Sequence, residues 1–201
     1  MVAVMSIPVS ALVIGNWESG MDGWADWNSN ATYTPGSSVG VTLGSGSLQV
    51  EQLGWGQSLS IKLQDNGLVD AFIANSIFSI DYSVAADTLG VGGFARIQGI
   101  TINADGIGWT GFDLGDTENF WFWDGSPART KTLVFDYSSL KESINPNPSY
   151  VEIILTLNGQ RDTNPPSPFS LYFDNAQLLV PEPATLSLLG LGLVGLLRRK
   201  R

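Results

Sequence analysis

The 201-residue chain contains no cysteine and no histidine. Without cysteine there is no disulfide, no thiolate nucleophile and no Cys-type zinc site. Without histidine the commonest general base is missing, and with it the Ser-His-Asp arrangement. Positive charge is scarce: ten Lys and Arg stand against nineteen Asp and Glu. Four of the ten are Arg198, Arg199, Lys200 and Arg201 at the chain end, which leaves six bases against eighteen acids before Pro181. So acidic a stretch is repelled by phosphate backbones, which excludes a nucleic-acid partner. It suits an extracellular protein, and its carboxylates suit divalent cations. No uncharged apolar run reaches the ~20 residues of a full bilayer crossing.

Two shorter apolar runs lie at the chain ends. Met1 to Ile14, MVAVMSIPVSALVI, reads as the hydrophobic region of a signal peptide that lacks its basic leader. Val9-Ser10-Ala11 offers small residues for cleavage after Ala11, leaving Leu12 first; the other reading of this stretch is a first strand. At the far end Pro181-Glu182-Pro183 precedes Ala184 to Leu197, uncharged and almost wholly apolar, and then the four basic residues. Pro183 suits the first turn of a helix. The basic side chains can snorkel and extend a short span, and they mark the cytoplasmic side. A single C-terminal transmembrane helix is the physical expectation, with everything before Pro181 across the membrane.

This order of Pro-Glu-Pro, short Gly/Leu helix and terminal basic cluster resembles the PEP-CTERM sorting signal of bacterial surface proteins. The resemblance covers Val180 to Arg201. It implies processing by an exosortase and a destination at the cell envelope, cell surface or extracellular matrix, with transient anchoring in the inner membrane. Residues 1–11 then form the truncated signal peptide, 12–179 the body, and 180–201 the sorting signal. A plain membrane anchor is the competing reading.

The body alternates apolar and polar residues with period two. Leu59, Ile61 and Leu63 alternate with Ser58, Ser60 and Lys62; Phe78, Ile80, Tyr82 and Val84 with Ser79, Asp81 and Ser83; Val151, Ile153, Leu155 and Leu157 with Glu152 and Thr156. Such strands bury one face and wet the other. Pro35-Gly36, Asn66-Gly67, Asp105-Gly106, Asp124-Gly125 and Asn158-Gly159 read as turns, and Asn164 to Pro168 as a loop. One short helix is expected near Leu68 to Asn75. The count is nine or ten strands, which favours an all-β, antiparallel two-sheet sandwich.

The two ends of the body, NWESGMDGW at Asn16 to Trp24 and LYFDNAQL at Leu171 to Leu178, resemble the opening and closing strands of carbohydrate-binding-module-like jelly rolls. In a jelly roll those strands lie side by side. The resemblance implies a structural calcium ion where they meet, with Glu18 and Asp174 as side-chain ligands. Calcium takes six to eight oxygens, so carbonyls near Ser19 and water complete the set.

Seven tryptophans are many for this length. Trp17 and Trp24 flank the opening turn and read as packing residues. Phe120-Trp121-Phe122-Trp123 puts both tryptophans on one face of a strand and both phenylalanines on the other. Tryptophan carries an N–H that wants a partner or water, so Trp121 and Trp123 are expected outward. With Trp109 and Trp55 they form a candidate platform for sugar rings, exopolysaccharide being the expected ligand. The alternative is that these aromatics only cover the core. No catalytic residue is identified: Asp113, Asp116, Glu118, Asp124, Asp136 and Glu152 form no motif, and Glu118 with Asp124 is the least implausible pair. The expected function is thus non-catalytic, a sorted surface or matrix protein binding polysaccharide. A polysaccharide-active enzyme on the same fold and a purely structural matrix protein are the alternatives.

Overall fold

The period-two segments do form strands, and the apolar side of each alternation is buried. The computed structural model describes residues 11–26, 31–52, 56–86, 92–115, 119–123, 125–161 and 169–180. Twelve strands are formed among them: β1 (Leu12–Gly15), β2 (Trp24–Asp26), β3 (Ala31–Ser37), β4 (Ser47–Gln52), β5 (Gln57–Lys62), β6 (Ile77–Val84), β7 (Gly93–Ala104), β8 (Gly108–Asp113), β9 (Phe120–Trp121), β10 (Arg129–Asp136), β11 (Val151–Arg161) and β12 (Phe169–Leu179). The excess over nine or ten comes from strands too short to show a period: β1, β2 and β9 have four, three and two residues. A single α-helix, α1 (Val69–Ala74), lies where the sequence places one. No helix of the described residues is long and apolar enough to cross a membrane.

Two antiparallel sheets result. The first runs β10-β6-β12-β4-β3, with β1 also on β12; the second runs β2-β5-β11-β7-β8, with β9 also on β7. First and last strands are neighbours: Leu12 lies opposite Leu178 and Val13 opposite Gln177. Leu48, Val50, Phe78, Ile80, Tyr82, Leu171 and Phe173 of the first sheet meet Leu59, Ile61, Ile97, Ile100, Ile102, Ile153 and Leu155 of the second, all fully buried. Each such side chain stabilises the fold by about 1.5–3 kcal/mol. Aromatic groups close the layer. Trp17 and Trp24 are buried with ring centroids 5.7 Å apart, and Trp24 reaches Phe78 at 6.2 Å. The Trp24 indole N–H donates to Ile14 O at 2.9 Å. Phe72 of α1 stacks on Tyr137 at 4.3 Å, and the Tyr137 hydroxyl donates to Phe72 O at 2.9 Å. Burial pushes that phenol up, out of the physiological range.

Two expected turns are something else. Asn158-Gly159 lies inside β11, with Gly159 opposite Ala95, because pairing with β7 continues past it. Pro35-Gly36 lies within β3; Gly36 has φ +77° and the register with β4 shifts between Thr34 and Ser37, so the pair makes a bulge. Asp105-Gly106 does turn the chain from β7 to β8.

The polar faces also differ from the expected wet ones. On the first sheet Ser79, Asp81 and Ser83 are buried. The segment 38–46 supplies part of that cover: a Cβ at Gly40 would touch Tyr172 and Ser83 side chains, and Thr42 Oγ1 donates to Asp81 Oδ2 at 2.7 Å. On the second sheet Ser58, Ser60, Glu152 and Asn158 are buried although they point away from the core.

Candidate functional site

The outer face of the second sheet can be read from the register. Residues opposite each other in an antiparallel pair share a face. Asn103 on β7 lies opposite Trp109 on β8 and Glu152 on β11, and Glu152 opposite Lys62 on β5. The next row is Ser60, Ile154, Thr101 and Gly111; the row after it is Ser58, Thr156, Gly99 and Asp113. Asn158 and Arg96 follow, and then Phe94 with Trp121 of β9. Trp109 and Trp121 thus stand at opposite ends of one face. Their partners, Asn103 and Phe94, are nine steps apart along β7, a span of about 30 Å at ~3.3 Å per residue.

Between the tryptophans the floor is made of small residues, glycine and threonine above all, with Ile154 among them. A depression of about 450 Å³ is lined by Gly99, Thr101, Gly111, Asp113, Thr156 and Asn158, among others. A second, of about 390 Å³, lies away from the tryptophans at the β2–β5 edge of the sheet, lined by Ala25, Asp26, Ser60 and Lys62 with their neighbours. The carboxamide of Asn158 is fixed, its Oδ1 accepting from Gly56 N at 2.6 Å. Tyr33 of the first sheet donates its hydroxyl to Ser58 O at 2.5 Å, and burial pushes its phenol up.

The aromatic run divides by parity. Phe120 and Phe122 are buried, at 2% and 7% exposure, while Trp121 and Trp123 are 57% and 50% exposed. Phe120 meets Tyr82 edge-on at 5.2 Å, and Trp121 meets Phe94 at 5.8 Å. Trp109 is 58% exposed. The structure therefore brings Trp109, Trp121 and Trp123 to the surface. Trp55, Asp116, Glu118 and Asp124 lie outside the described residues. Phe94, Arg96, Asn158 and Arg129 also belong to this region, and no local motif marks them; only strand pairing brings them here.

Glu18 and Asp174 come to one loop from two sides. Asp174 is fully buried; its Oδ2 accepts from Thr42 N at 2.6 Å and Leu43 N at 2.7 Å, and its Oδ1 from Asn175 N at 2.7 Å. Glu18 Oε1 accepts from Ser45 N at 2.8 Å and Oε2 from the Ser45 hydroxyl at 2.5 Å. These bonds, the hydroxyl's first, hold the Glu18 carboxyl below its usual range. Gly44 has φ +72°, and a Cβ there would collide with Glu18 Oε1. Among the described residues no three carboxylates gather about one point. The two carboxylates bond different residues of the loop, Asp174 at Thr42 and Leu43 and Glu18 at Ser45.

Comparisons with known proteins address both parts of the chain. Residues 179–201 match the PEP-CTERM protein-sorting motif. The chain thus carries the mark of an exported, cell-surface protein. Pro181, Glu182, Pro183, Arg198, Arg199, Lys200, Arg201 and the helix expected between them lie outside the described residues. Comparison with curated proteins found no match. Among solved structures, the body is similar to TmCBM27, a carbohydrate-binding module described for specific mannan recognition. Identity is 15% over 86% of this chain and 96% of that one, with a TM-score of 0.50. It is similar to CBM27-1 of Caldicellulosiruptor saccharolyticus, solved with mannohexaose, at 15% identity over 88% and 100% of the two chains and a TM-score of 0.50. It is also similar to the Clostridium thermocellum xylanase 10B modules CBM22-1 and GH10, solved with xylohexaose, at 11% identity, TM-score 0.50, over 86% of this chain and 28% of that one. At these identities the likeness is one of fold: an all-β sandwich of the carbohydrate-binding-module kind.

Proposed function

We propose that this protein is a non-catalytic surface or matrix protein that binds polysaccharide along the outer face of its second sheet. The observation that carries the reading is the placement of Trp109 and Trp121 at the two ends of one recessed face floored by small residues. Flat aromatic surfaces suit the apolar faces of sugar rings, and placed amide and hydroxyl groups suit their hydroxyls. Trp121 and its ring neighbour Phe94 make a contiguous apolar patch, and such patches tend to mark interaction sites. The sandwich itself, shared with carbohydrate-binding modules, adds analogy only.

Direction follows from topology. β12 ends at Leu179 opposite Ile77, where β6 begins, beside α1 and the end of β5 that carries Lys62. Lys62, Glu152, Asn103 and Trp109 form one row, so Trp109 lies at the end where the chain leaves for Pro181. Trp121 and Trp123 lie at the other end. Only Val180 stands between β12 and Pro181. The Trp121 end is therefore the one farther from the point where the chain leaves for the sorting signal.

The same reading includes a structural calcium ion held by Glu18 and Asp174, which would fasten the 42–45 segment to both chain ends. It takes no part in sugar binding. The test of function is a titration of the full chain against a panel of neutral and acidic polysaccharides, run beside a reducing-sugar assay. Saturable binding with no release of reducing ends supports the reading. Release of reducing ends favours the enzyme alternative, and no binding across the panel favours a purely structural protein.

A further inference from the structure

β9 pairs with β7 through two residues only, Phe120 and Trp121, and Phe122 N adds one bond to Gly93 O at 3.0 Å. Its other edge faces β10 of the opposite sheet. There the odd-numbered carbonyls are all taken. Asn119 O accepts from Lys131 Nζ at 2.9 Å, Trp121 O from Arg129 Nη2 at 2.5 Å, and Trp123 O from Ser126 N at 2.9 Å. Arg129 and Lys131 are spaced by two along β10, as the carbonyls of Asn119 and Trp121 are along β9, in the opposite direction. Two side chains thus stand in for the N–H groups of a neighbouring strand, satisfying an edge that would otherwise be open. The same groups touch the rings. The Arg129 guanidinium carbon lies 4.7 Å from the Trp123 centroid and 5.5 Å from that of Phe120, and Lys131 Nζ lies 5.3 Å from Phe120. A planar guanidinium can donate in its plane while its face stacks on a ring.

We propose that Arg129, assisted by Lys131, is the positioning residue of the tryptophan platform: it ties Trp121 through its carbonyl and Trp123 through its ring, across the gap between the sheets. Its consequence for ligand binding rests on the function proposed above; its geometry does not.

The test uses the full chain labelled with fluorotryptophan and read by fluorine NMR. Trp121→Phe and Trp123→Phe assign their two resonances. In Arg129→Gln those two resonances shift or broaden while Trp17 and Trp24 stay in place; Lys131→Met moves Trp121 in the same way and serves if Arg129→Gln does not fold. Where a polysaccharide is found to bind, Arg129→Gln weakens it about tenfold, and has no further effect once Trp121 and Trp123 are both alanine. Unmoved Trp121 and Trp123 resonances in both variants overturn the proposal. So does a shift of all seven tryptophans together, or an undiminished effect of Arg129→Gln in the double-alanine background. If the wild-type chain binds no polysaccharide, the proposed function falls and the fluorine spectra alone decide the positioning role.

Discussion

Replacing Phe120 and Trp121 one at a time separates the two faces of a two-residue strand. Phe120 is almost fully buried and meets Tyr82 edge-on at 5.2 Å, beneath the Arg129 and Lys131 side chains. Buried Phe→Ala changes cost about 3–5 kcal/mol. Because β9 is so short, its neighbours can close part of the void, so the lower part of that range is expected. At roughly 2–4 °C per kcal/mol for a chain of this size, Phe120→Ala lowers the melting temperature by roughly 6–12 °C. Trp121 is more than half exposed, and its ring contact is with Phe94 at 5.8 Å. Losing an aromatic pair of this kind costs about 0.5–1.5 kcal/mol beyond the covered part of the ring, and less than half of Trp121 is covered, so Trp121→Ala lowers the melting temperature by less than Phe120→Ala does. Calorimetry or urea unfolding of both variants is the assay. Equal losses, or a larger loss for Trp121→Ala, would refute the parity argument and make the run a structural plug.

Other outcomes follow from the same coordinates. Asp174→Ala leaves Thr42 N and Leu43 N without their buried acceptor and costs about 3 kcal/mol or more by urea unfolding. Gly44→Ala forces a positive φ on a residue with a Cβ and displaces Glu18 from Ser45; it destabilises by about 1–2 kcal/mol, and Glu18→Gln made in its background adds little. If calcium joins Glu18 and Asp174, a chelator lowers the melting temperature of the wild type and not of Glu18→Gln; a wild-type melt indifferent to calcium and chelator removes the ion from the account. Glu18, Asp105 and Asp136 all have carboxyls held below their ordinary values of 4.5, 3.8 and 3.8, chiefly by hydrogen bonds from Ser45, Asn145 and Ser138. Each therefore stabilises the fold above its ordinary value and ceases to do so as pH falls through its lowered one, so the melting temperature drops on acidification from pH 5 to about 3 and the drop is smaller in Asp105→Asn. Replacing Pro181-Glu182-Pro183 by alanines leaves a membrane-retained precursor, read by intact mass spectrometry of released protein; a released form that still ends in Arg201 contradicts the role of the motif.

How much of this was legible in the sequence depends on which physical rule set each residue. Period-two alternation marked β5, β6 and β11, because side-chain direction in a strand is fixed by the backbone alone. It also settled Phe120 to Trp123, once an indole N–H was taken to prefer water. Alternation does not tell a wet outer face from a covered one. Asp81 and Ser83 are covered by the 38–46 segment and Ser60 lies in a recess, both consequences of how distant segments fold back. The turn rule failed at Asn158-Gly159 because pairing with β7 overrides local preference, and at Pro35-Gly36 because a bulge uses the same residues as a turn. The side-by-side placement of first and last strands was anticipated, but with Asn16 to Trp24 as the first: the strand on β12 is Leu12–Gly15, Asn16 to Gly23 is loop, and Trp24 begins a strand of the other sheet. The loop that Glu18 and Asp174 share, Thr42 to Ser45, was not anticipated, since nothing local points Thr42 at a strand more than a hundred residues later. Arg129 and Lys131 were silent for the same reason: their role exists only where two sheets meet.

The central claim is that the outer face of the second sheet binds a polysaccharide between Trp109 and Trp121. Titration calorimetry of the full chain, Trp109→Ala and Trp121→Ala against whichever polysaccharide the wild type binds tests it most directly. The account predicts that each change weakens binding by about tenfold, some 1.4 kcal/mol, while both proteins keep their cooperative melt. Undiminished affinity in both variants would contradict it, because the ligand would then lie elsewhere on the molecule.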